Sequence, residues 1–406
     1  MDINRILDLD NRADRETRKY KKKRFAYQTL ETTQGRPFVA IIGPRGVGKT
    51  VLLRQLRQIY TNSLYLSADT LSRGTSIKEI IRYFSEQMGI TRFFIDEIHF
   101  IPTYAADLKE LYDFTSIHIW FTSSVSLSLY SSAWDLSRRV RTILLYPFSF
   151  REYLFFRYEN EIAPLSLQNA LFQTIDPRYL RLIPFFDEYL KGGLYPFLLE
   201  PGATPEQFTH IMEKILQEDI PNFDPQLSLQ DVTFIRKILS FIGRSPIDGI
   251  NYSSISRNVG VTKYKAEKFL TLLERSFLVR RAFPGGTNVL KEPKVFMELP
   301  YRTLFRDFED CVGELREDFF ALAMAQHGVD FFYAKTTRGK KTPDFILDLD
   351  GNRVIVEIGG AGKGRSQFKG LEYDKKIVLF HDTGVPVKST IPRPGVRVPL
   401  HCLGFG

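Results

Sequence analysis

Apolar and polar positions along this chain follow three different rhythms in turn. The first third carries short, wholly apolar runs: PFVAII at 37–42 has the composition of a strand buried on both faces of a parallel sheet. VLLRQLRQIY (51–60) follows it at helical spacing, and SLYLSAD (63–69), RFFIDE (92–97) and IHIWFT (117–122) predict further strands. From Phe150 to about Asn222 the pattern becomes helical; FREYLFFRY and FTHIMEKILQ repeat apolar residues three and four apart. DVTFIRKILSFIGRS (231–245) gathers Val232, Ile235, Ile238, Leu239 and Ile242 on one helix face.

NYSSISRNVG (251–260) predicts a short helix opening at Ser253 or Ser254 and stopping at Gly260. TKYKAEKFLTLLERS (262–276) follows after a tight turn, and 277–299 reads as two strands around Gly285-Gly286. Helix, short helix, turn, helix and β-wing make a helix-turn-helix of winged type. VGELREDFFALAMAQHG (312–328) predicts a helix with Leu315, Phe319, Leu322 and Ala323 on one side, and DFFYAKT (330–336) a strand. TPDFILDLDGNRVIVEIGG (342–360) then alternates around Asp350-Gly351, a strong hairpin signal. With the turn there, Leu349 opposes Asn352, Leu347 opposes Val354 and Phe345 opposes Val356. Asp344 is then expected opposite Glu357, with Ile346 and Ile355 beside them on the same face. Two adjacent carboxylates are unfavourable without a cation and suit Mg²⁺ or Mn²⁺.

Composition narrows the setting. A chain of 406 residues, 43% hydrophobic and 25% charged, is sized for two to four ordinary globular domains. Its 34 Phe and 19 Tyr argue against a long disordered region. The net charge of +9 and a pI near 9.3 permit nucleic-acid binding without proving it. Two cysteines, Cys311 and Cys402, make neither a disulfide framework nor a metal cluster, so a reducing, cytoplasmic setting is expected. MDINRILDLDNR has no apolar core for a signal peptide, and no apolar run is long enough for a membrane span.

The strand at 37–42 runs into Gly43-Pro44-Arg45-Gly46-Val47-Gly48-Lys49-Thr50, a phosphate loop in its required strand–loop–helix context. Backbone N–H groups from Gly43 through Val51, with the helix N-terminus, would surround the phosphates of ATP. Lys49 would reach the β- and γ-phosphates and Thr50 would ligate Mg²⁺. Asp96 and Glu97 end the strand at 92–97; Asp96 would hold the Mg²⁺ through water, and Glu97 would orient or activate the attacking water.

The phosphate loop, FFIDE, FTSS, LSRRVRTILLYPFSFREYL (136–154) and YLKGGLYPFLL (189–199) resemble an archaeal and bacterial group of AAA+ ATPases whose chains carry a C-terminal domain akin to restriction-type nucleases. The resemblance implies that Ser123 is a first sensor, that Arg138 or Arg139 completes a nucleotide site, and that Pro196 packs near the base. Ser137 stands where the family has a glycine before its arginine. Solvated surface charge for the arginines, and a helix stop after Gly192-Gly193 for Pro196, remain open. The resemblance further implies a fold of class α/β: an AAA+ parallel-sheet core with an N-terminal basic helix (1–150), a helical lid (151–227), a winged helix (228–300) and a small α/β domain of PD-(D/E)xK nuclease type (301–406). In that last pattern Asp344 and Glu357 are metal ligands and Glu317 is a helix-borne acid. The usual lysine falls at Gly359, with Lys363 and Lys340 as substitutes.

Positive charge recurs at RKYKKKRF (18–25), at RGKK (338–341) and near the start of the third winged-helix helix, where Lys263, Tyr264, Lys265 and Lys268 sit as in a recognition helix. DNA, including branched or otherwise structured forms, is therefore the expected partner. A homo-oligomer is compatible with an arginine acting across subunits. Two readings stay open: an ATPase that binds, remodels or cuts DNA, and a nucleotide-controlled switch whose winged helix and inactive nuclease-like domain dock protein partners.

Overall fold

Strands covered on both faces have no polar side to show, and the first unit of the computed structural model is organised around four of them. β1 (Phe38–Ile42), β2 (Ser63–Ser67), β3 (Arg92–Asp96) and β4 (His118–Ser123) are buried along almost their whole length. With β5 (Val140–Leu144) they form a parallel sheet in the order β2-β3-β4-β1-β5. β5 lies at the sheet edge and is largely exposed, so its sequence VRTIL carried no buried-strand signal. The structure describes residues 2–33, 35–72, 74–124, 136–285, 292–333, 343–359, 373–381 and 397–406, in two units, 1–147 and 148–406.

Helix α1 (Ile3–Thr17) covers the opposite edge of that sheet. Its Asp10 accepts the outward-facing N–H of Tyr65 in β2 at 2.9 Å and pairs with Arg57 at 2.7 Å. An edge strand so capped is no template for another chain. The expected basic N-terminal helix is corrected here: α1 holds three arginines against four acids, and the basic run 18–25 is the link between α1 and α2 (Ala26–Glu31). α3 (Lys49–Arg57) follows β1, α4 (Ile77–Met88) follows β2 and α5 (Tyr104–Phe114) follows β3. The strand order reverses beside β1, which puts the loop after β1 at the end of the sheet where such folds bind ligands.

The second unit mixes helices with two small sheets. α6 (Phe150–Tyr158), α7 (Leu167–Phe172) and α8 (Gln207–Lys214) occupy the expected lid. α9 (Leu229–Arg244), α10 (Tyr252–Val259) and α11 (Lys263–Arg275) precede the antiparallel pair β6 (Val279–Ala282) and β7 (Lys294–Met297), a winged-helix arrangement. Asn251, not a serine, caps α10, and Gly260 (φ 77°) ends it. α12 (Phe308–His327) leads to a mixed sheet, β12-β11-β10-β9-β8, made of Phe331–Phe332 (β8), Phe345–Leu349 (β9), Asn352–Gly359 (β10), Lys375–Phe380 (β11) and Arg397–Pro399 (β12).

Residues of all three expected C-terminal segments share one core. Phe150 of α6 meets Phe186, Tyr189, His401 and Phe405 edge-on. A Cβ on Gly404 would lie 2.5 Å from Phe150 Cβ, so the C-terminal turn passes there only as glycine. Arg302 and Asp318, both 0% exposed, pair at 2.6 Å. Arg302 also donates to the carbonyls of Ile242 and Ser245 at the end of α9, while the Met297 N–H donates to Asp318. Winged helix and α12 are thereby tied through one desolvated charge pair.

Candidate nucleotide site and a second pair of acids

The phosphate loop takes the form its glycines allow. Gly46 (φ 84°) and Gly48 (φ 86°) are left-handed, and a Cβ on Gly43 would come 2.0 Å from the carbonyl oxygen of Leu145. Pro44, Arg45 and the buried Val47 complete the turn, and Thr50 and Val51 open α3. Lys49 is buried, and its Nζ donates to the carbonyls of Gly43 and Pro44 at 2.9 and 2.8 Å. The lysine thus lies folded over its own loop, in the cradle where phosphate oxygens would be its acceptors.

Asp96 and Glu97 stand across from it. The Thr122 hydroxyl donates to Asp96 Oδ1 at 2.5 Å and the Tyr65 hydroxyl to Oδ2 at 2.9 Å; Thr50 also bonds this carboxylate. Burial raises the Asp96 carboxyl and the charge of Glu97 adds to it, against those three hydroxyls. Thr50 and Asp96 offer a hydroxyl and a carboxylate side by side, a donor set that fits Mg²⁺. Glu97 has φ 51°, rare for a residue with a side chain and of the kind held in place at functional sites. Burial would raise its carboxyl, but Lys49, His99 and Arg45, with the Ser124 N–H, outweigh it and hold the group below its usual value. His99 Nδ1 lies 3.2 Å from Glu97 Oε2 and 3.3 Å from the hydroxyl of Ser123, the expected sensor.

Tyr65, Arg54 and His99 escaped sequence reasoning. Arg54 donates to the Tyr65 hydroxyl at 2.8 Å. A signal existed for the tyrosine: Ser67 pairs with Asp96 in register, so alternation puts Tyr65 on the same sheet face. Arg24 was read only as part of a basic run, yet it is buried, and it donates to Val47 of the phosphate loop at 2.6 Å.

The two arginine candidates separate. Arg139 makes a two-pronged pair with Asp113 at 2.9 and 2.8 Å, which holds it against α5. Arg138 is exposed. Both precede β5 at the end of the sheet where β1 begins, since the Phe38 N–H donates to the Arg139 carbonyl. The length of β1, about 16 Å for five residues, separates that end from the loop. An arginine side chain does not span it, so Arg138 lies out of reach of the loop that follows β1. Pro196 opens a short 3-10 turn in the second unit, after Gly192 (φ 130°) and Gly193, whose Cβ would come 2.6 Å from the Tyr153 ring.

On the winged helix the expected DNA-facing lysines have acid partners. Lys263 pairs with Glu292 at 3.0 Å, Lys265 with Asp231 at 2.9 Å and Lys268 with Asp224 at 2.7 Å. Tyr264, 77% exposed, stands among them. The local positive charge expected from sequence is therefore largely compensated within the unit.

The C-terminal hairpin has the expected register: Asn352 opposite Leu349, Val354 opposite Leu347 and Val356 opposite Phe345. That last pair ends the ladder. Asp344 lies just outside β9, and its Oδ2 accepts the Ile358 N–H at 2.7 Å, beside Glu357. Glu317 on α12 is close enough to Asp344 to feel its charge. Burial first, and Asp344 second, push Glu317 up to about 8, with Lys294 on β7 pulling the other way. Its buried Oε2 has no hydrogen-bond partner among the described residues. Glu357 is buried on β10. Among the described residues no three of His, Cys, Asp or Glu are grouped so as to hold a metal ion, so the expected centre of Glu317, Asp344 and Glu357 is not assembled. Lys340 and Lys363, the candidates for the lysine missing at Gly359, lie outside the described residues.

Residues 35–154 match the family model of the AAA domain, and residues 183–298 match that of a domain of unknown function (DUF8612). With its parallel sheet and P-loop-like turn, the first unit is an α/β domain similar over residues 35–154 to the AAA domain. An uncharacterized protein of Methanocaldococcus jannaschii is 27% identical over 388 residues, covering 85% of this chain and 82% of that one. Among solved structures, the Aeropyrum pernix ORC1 protein in complex with DNA aligns at 13% identity over 73% of this chain and 92% of that one, with a TM-score of 0.31. AMPPCP-bound DnaA from Aquifex aeolicus aligns at 12% over 61% and 84%, with a TM-score of 0.24. Alignments with TM-scores of this size carry no inference to this chain. No helix among the described residues is long and apolar enough to cross a membrane.

Proposed function

We propose that the chain is an AAA-type ATPase that couples ATP binding and hydrolysis to the binding of DNA by its second unit. The observation that carries the ATPase reading is the juxtaposition of Lys49, Thr50, Asp96 and Glu97 around one loop of backbone donors. Lys49 exchanges its two loop carbonyls for phosphate oxygens when nucleotide enters. Mg²⁺, held by Thr50 and Asp96, would neutralise charge on the β- and γ-phosphates. Glu97, kept ionised by its cationic neighbours, orients a water toward the γ-phosphorus and accepts its proton. Ser123 and His99 fix the Glu97 side of the site, and Arg138 is the residue available to a neighbouring subunit in a homo-oligomer.

DNA as partner is supported by the winged-helix order of elements and the net charge of +9. The test is binding of single-stranded, duplex and branched DNA across a salt series, with and without ATP. Absence of binding to every form at low salt sinks this part. The ion-paired Lys263, Lys265 and Lys268 favour a second reading, a nucleotide-controlled switch that docks a protein through the same face. The PD-(D/E)xK-like role of the C-terminal domain rests on Glu317, Asp344 and Glu357 with no metal cluster among the described residues, so no cleavage step is derived. Incubation with Mg²⁺ or Mn²⁺ beside the Asp344→Ala variant decides it: cutting by the wild type only supports a nuclease, and none by either supports a non-cutting domain.

A further inference from the structure

Arg24 lies before the AAA match, which begins at residue 35, yet it is bound into the phosphate loop. Arg24 is 8% exposed; its Nη1 donates to the Val47 carbonyl at 2.6 Å and its Nη2 to the Tyr146 carbonyl at 3.0 Å. These two carbonyls belong to the two sides of the loop's mouth. Val47 is in the loop itself, and Tyr146 follows Leu145, whose carbonyl abuts Gly43. The segment carrying Arg24 is fixed in turn by α3, since Gln55 donates to the carbonyls of Tyr20 and Lys22 at 2.8 and 3.1 Å. Beyond Arg24, the Tyr27 N–H closes the chain onto the Arg24 carbonyl at 2.9 Å.

A peptide group is planar and trans, so the carbonyl of one residue and the N–H of the next point in opposite directions. Holding the Val47 oxygen toward Arg24 turns the Gly48 N–H away from Arg24. Gly48 has a left-handed φ of 86°, open to alternative conformations, and stands directly before α3, where phosphate-binding N–H groups are needed. A guanidinium can bridge two carbonyls with a planar fork, which an ammonium cannot reproduce.

We propose that Arg24 is a positioning residue of the nucleotide site. It sets the Val47–Gly48 peptide so that the loop is arranged for phosphate before nucleotide arrives, and it makes the N-terminal segment 18–25 part of the nucleotide machinery rather than a free basic arm. This inference rests on the nucleotide reading above.

The experiment measures the affinity of the full chain for a fluorescent ADP, with and without Mg²⁺, for wild type, Arg24→Ala, Arg24→Lys and Lys49→Ala. Expected are a loss of about tenfold or more for Arg24→Ala, little recovery in Arg24→Lys, and recovery of Arg24→Ala on addition of methylguanidinium. A purely structural tether predicts a lower unfolding temperature in Arg24→Ala with unchanged affinity of the folded fraction. Arg24→Ala within twofold of wild type overturns the inference, as does full rescue by Arg24→Lys, which keeps charge but not the fork. If Arg24→Ala does not fold, Arg24→Lys and its response to methylguanidinium decide on the same criteria. If Lys49→Ala loses binding while Arg24→Ala keeps it, only the role of Arg24 falls. If the wild type binds no nucleotide, the nucleotide reading falls with it.

Discussion

Asp96 and Glu97 in the first unit, and Glu317 and Asp344 in the second, are both pairs of neighbouring carboxylates that feel each other's charge. Around the first pair the chain supplies hydroxyls from Thr50, Tyr65 and Thr122 and positive charge from Lys49, Arg45 and His99, and Glu97 ends below its usual value. Around Glu317 the described residues supply further acids, Asp248 and Asp318, against Lys294, and Glu317 rises to about 8. Lys294 is itself paired with Asp248 at 2.5 Å. The difference teaches what each site lacks. The first gathers positive charge and hydroxyls beside its acids, whereas the second favours the protonated form of Glu317.

The sharpest test of the first half is Glu97→Gln. ATP turnover should fall by about two to three orders of magnitude with nucleotide affinity retained, while Lys49→Ala loses the affinity itself. Phosphate release and fluorescent-nucleotide binding read the two effects separately, and wild-type turnover by Glu97→Gln would break the assignment of the base.

The second half makes a pH prediction. The folded value of Glu317 lies above its ordinary 4.5, so its contribution to stability is whole below pH 4.5 and is lost as pH rises toward about 8. The wild type should lose about 2 kcal/mol between pH 5 and pH 7 relative to Glu317→Gln, measured by denaturant titration at each pH. Parallel pH profiles of the two proteins would mean that Glu317 is ionised and compensated, and the contrast between the pairs would disappear.

A smaller effect follows from cation binding. At pH 8, Mn²⁺ should raise the unfolding free energy of the wild type by about 1 kcal/mol at concentrations several times its dissociation constant, and should leave that of Glu317→Gln and Asp344→Asn unchanged. Equal shifts in all three would place the ion elsewhere. The smallest effect concerns the winged helix. A double-mutant cycle on Lys265 and Asp231 should return about 0.5 kcal/mol, the usual size for an exposed pair. If DNA displaces these acids, Asp231→Asn should tighten DNA binding; if a protein docks there, it should not.

What the sequence disclosed was whatever is set by neighbours along the chain. The phosphate loop after an apolar strand, the hairpin register around Asp350-Gly351, and the order of helices from Leu229 to Arg275 all follow from local periodicity and turn chemistry. What it withheld was set by residues far apart. Arg139 looked free for catalysis because Asp113 is 26 positions away, and Lys265 looked free for DNA because Asp231 is 34 away. The contact of the Asp344 carboxylate with the Ile358 N–H was not legible either, because a carboxylate just outside a strand can accept a backbone N–H that the ladder leaves open. Strand β5 went unseen because an exposed edge needs no apolar run.

The buried pair of Arg302 and Asp318 bears on where this chain can be divided. A winged helix parted from α12 would leave the carbonyls of Ile242 and Ser245 and the N–H of Met297 without these partners. It would also open the surface where Gly243 makes room for the Phe305 ring. A cut after residue 298, where the match to the domain of unknown function ends, falls between groups that hold one another out of water, so a fragment ending there should be less stable than one carried on through α12.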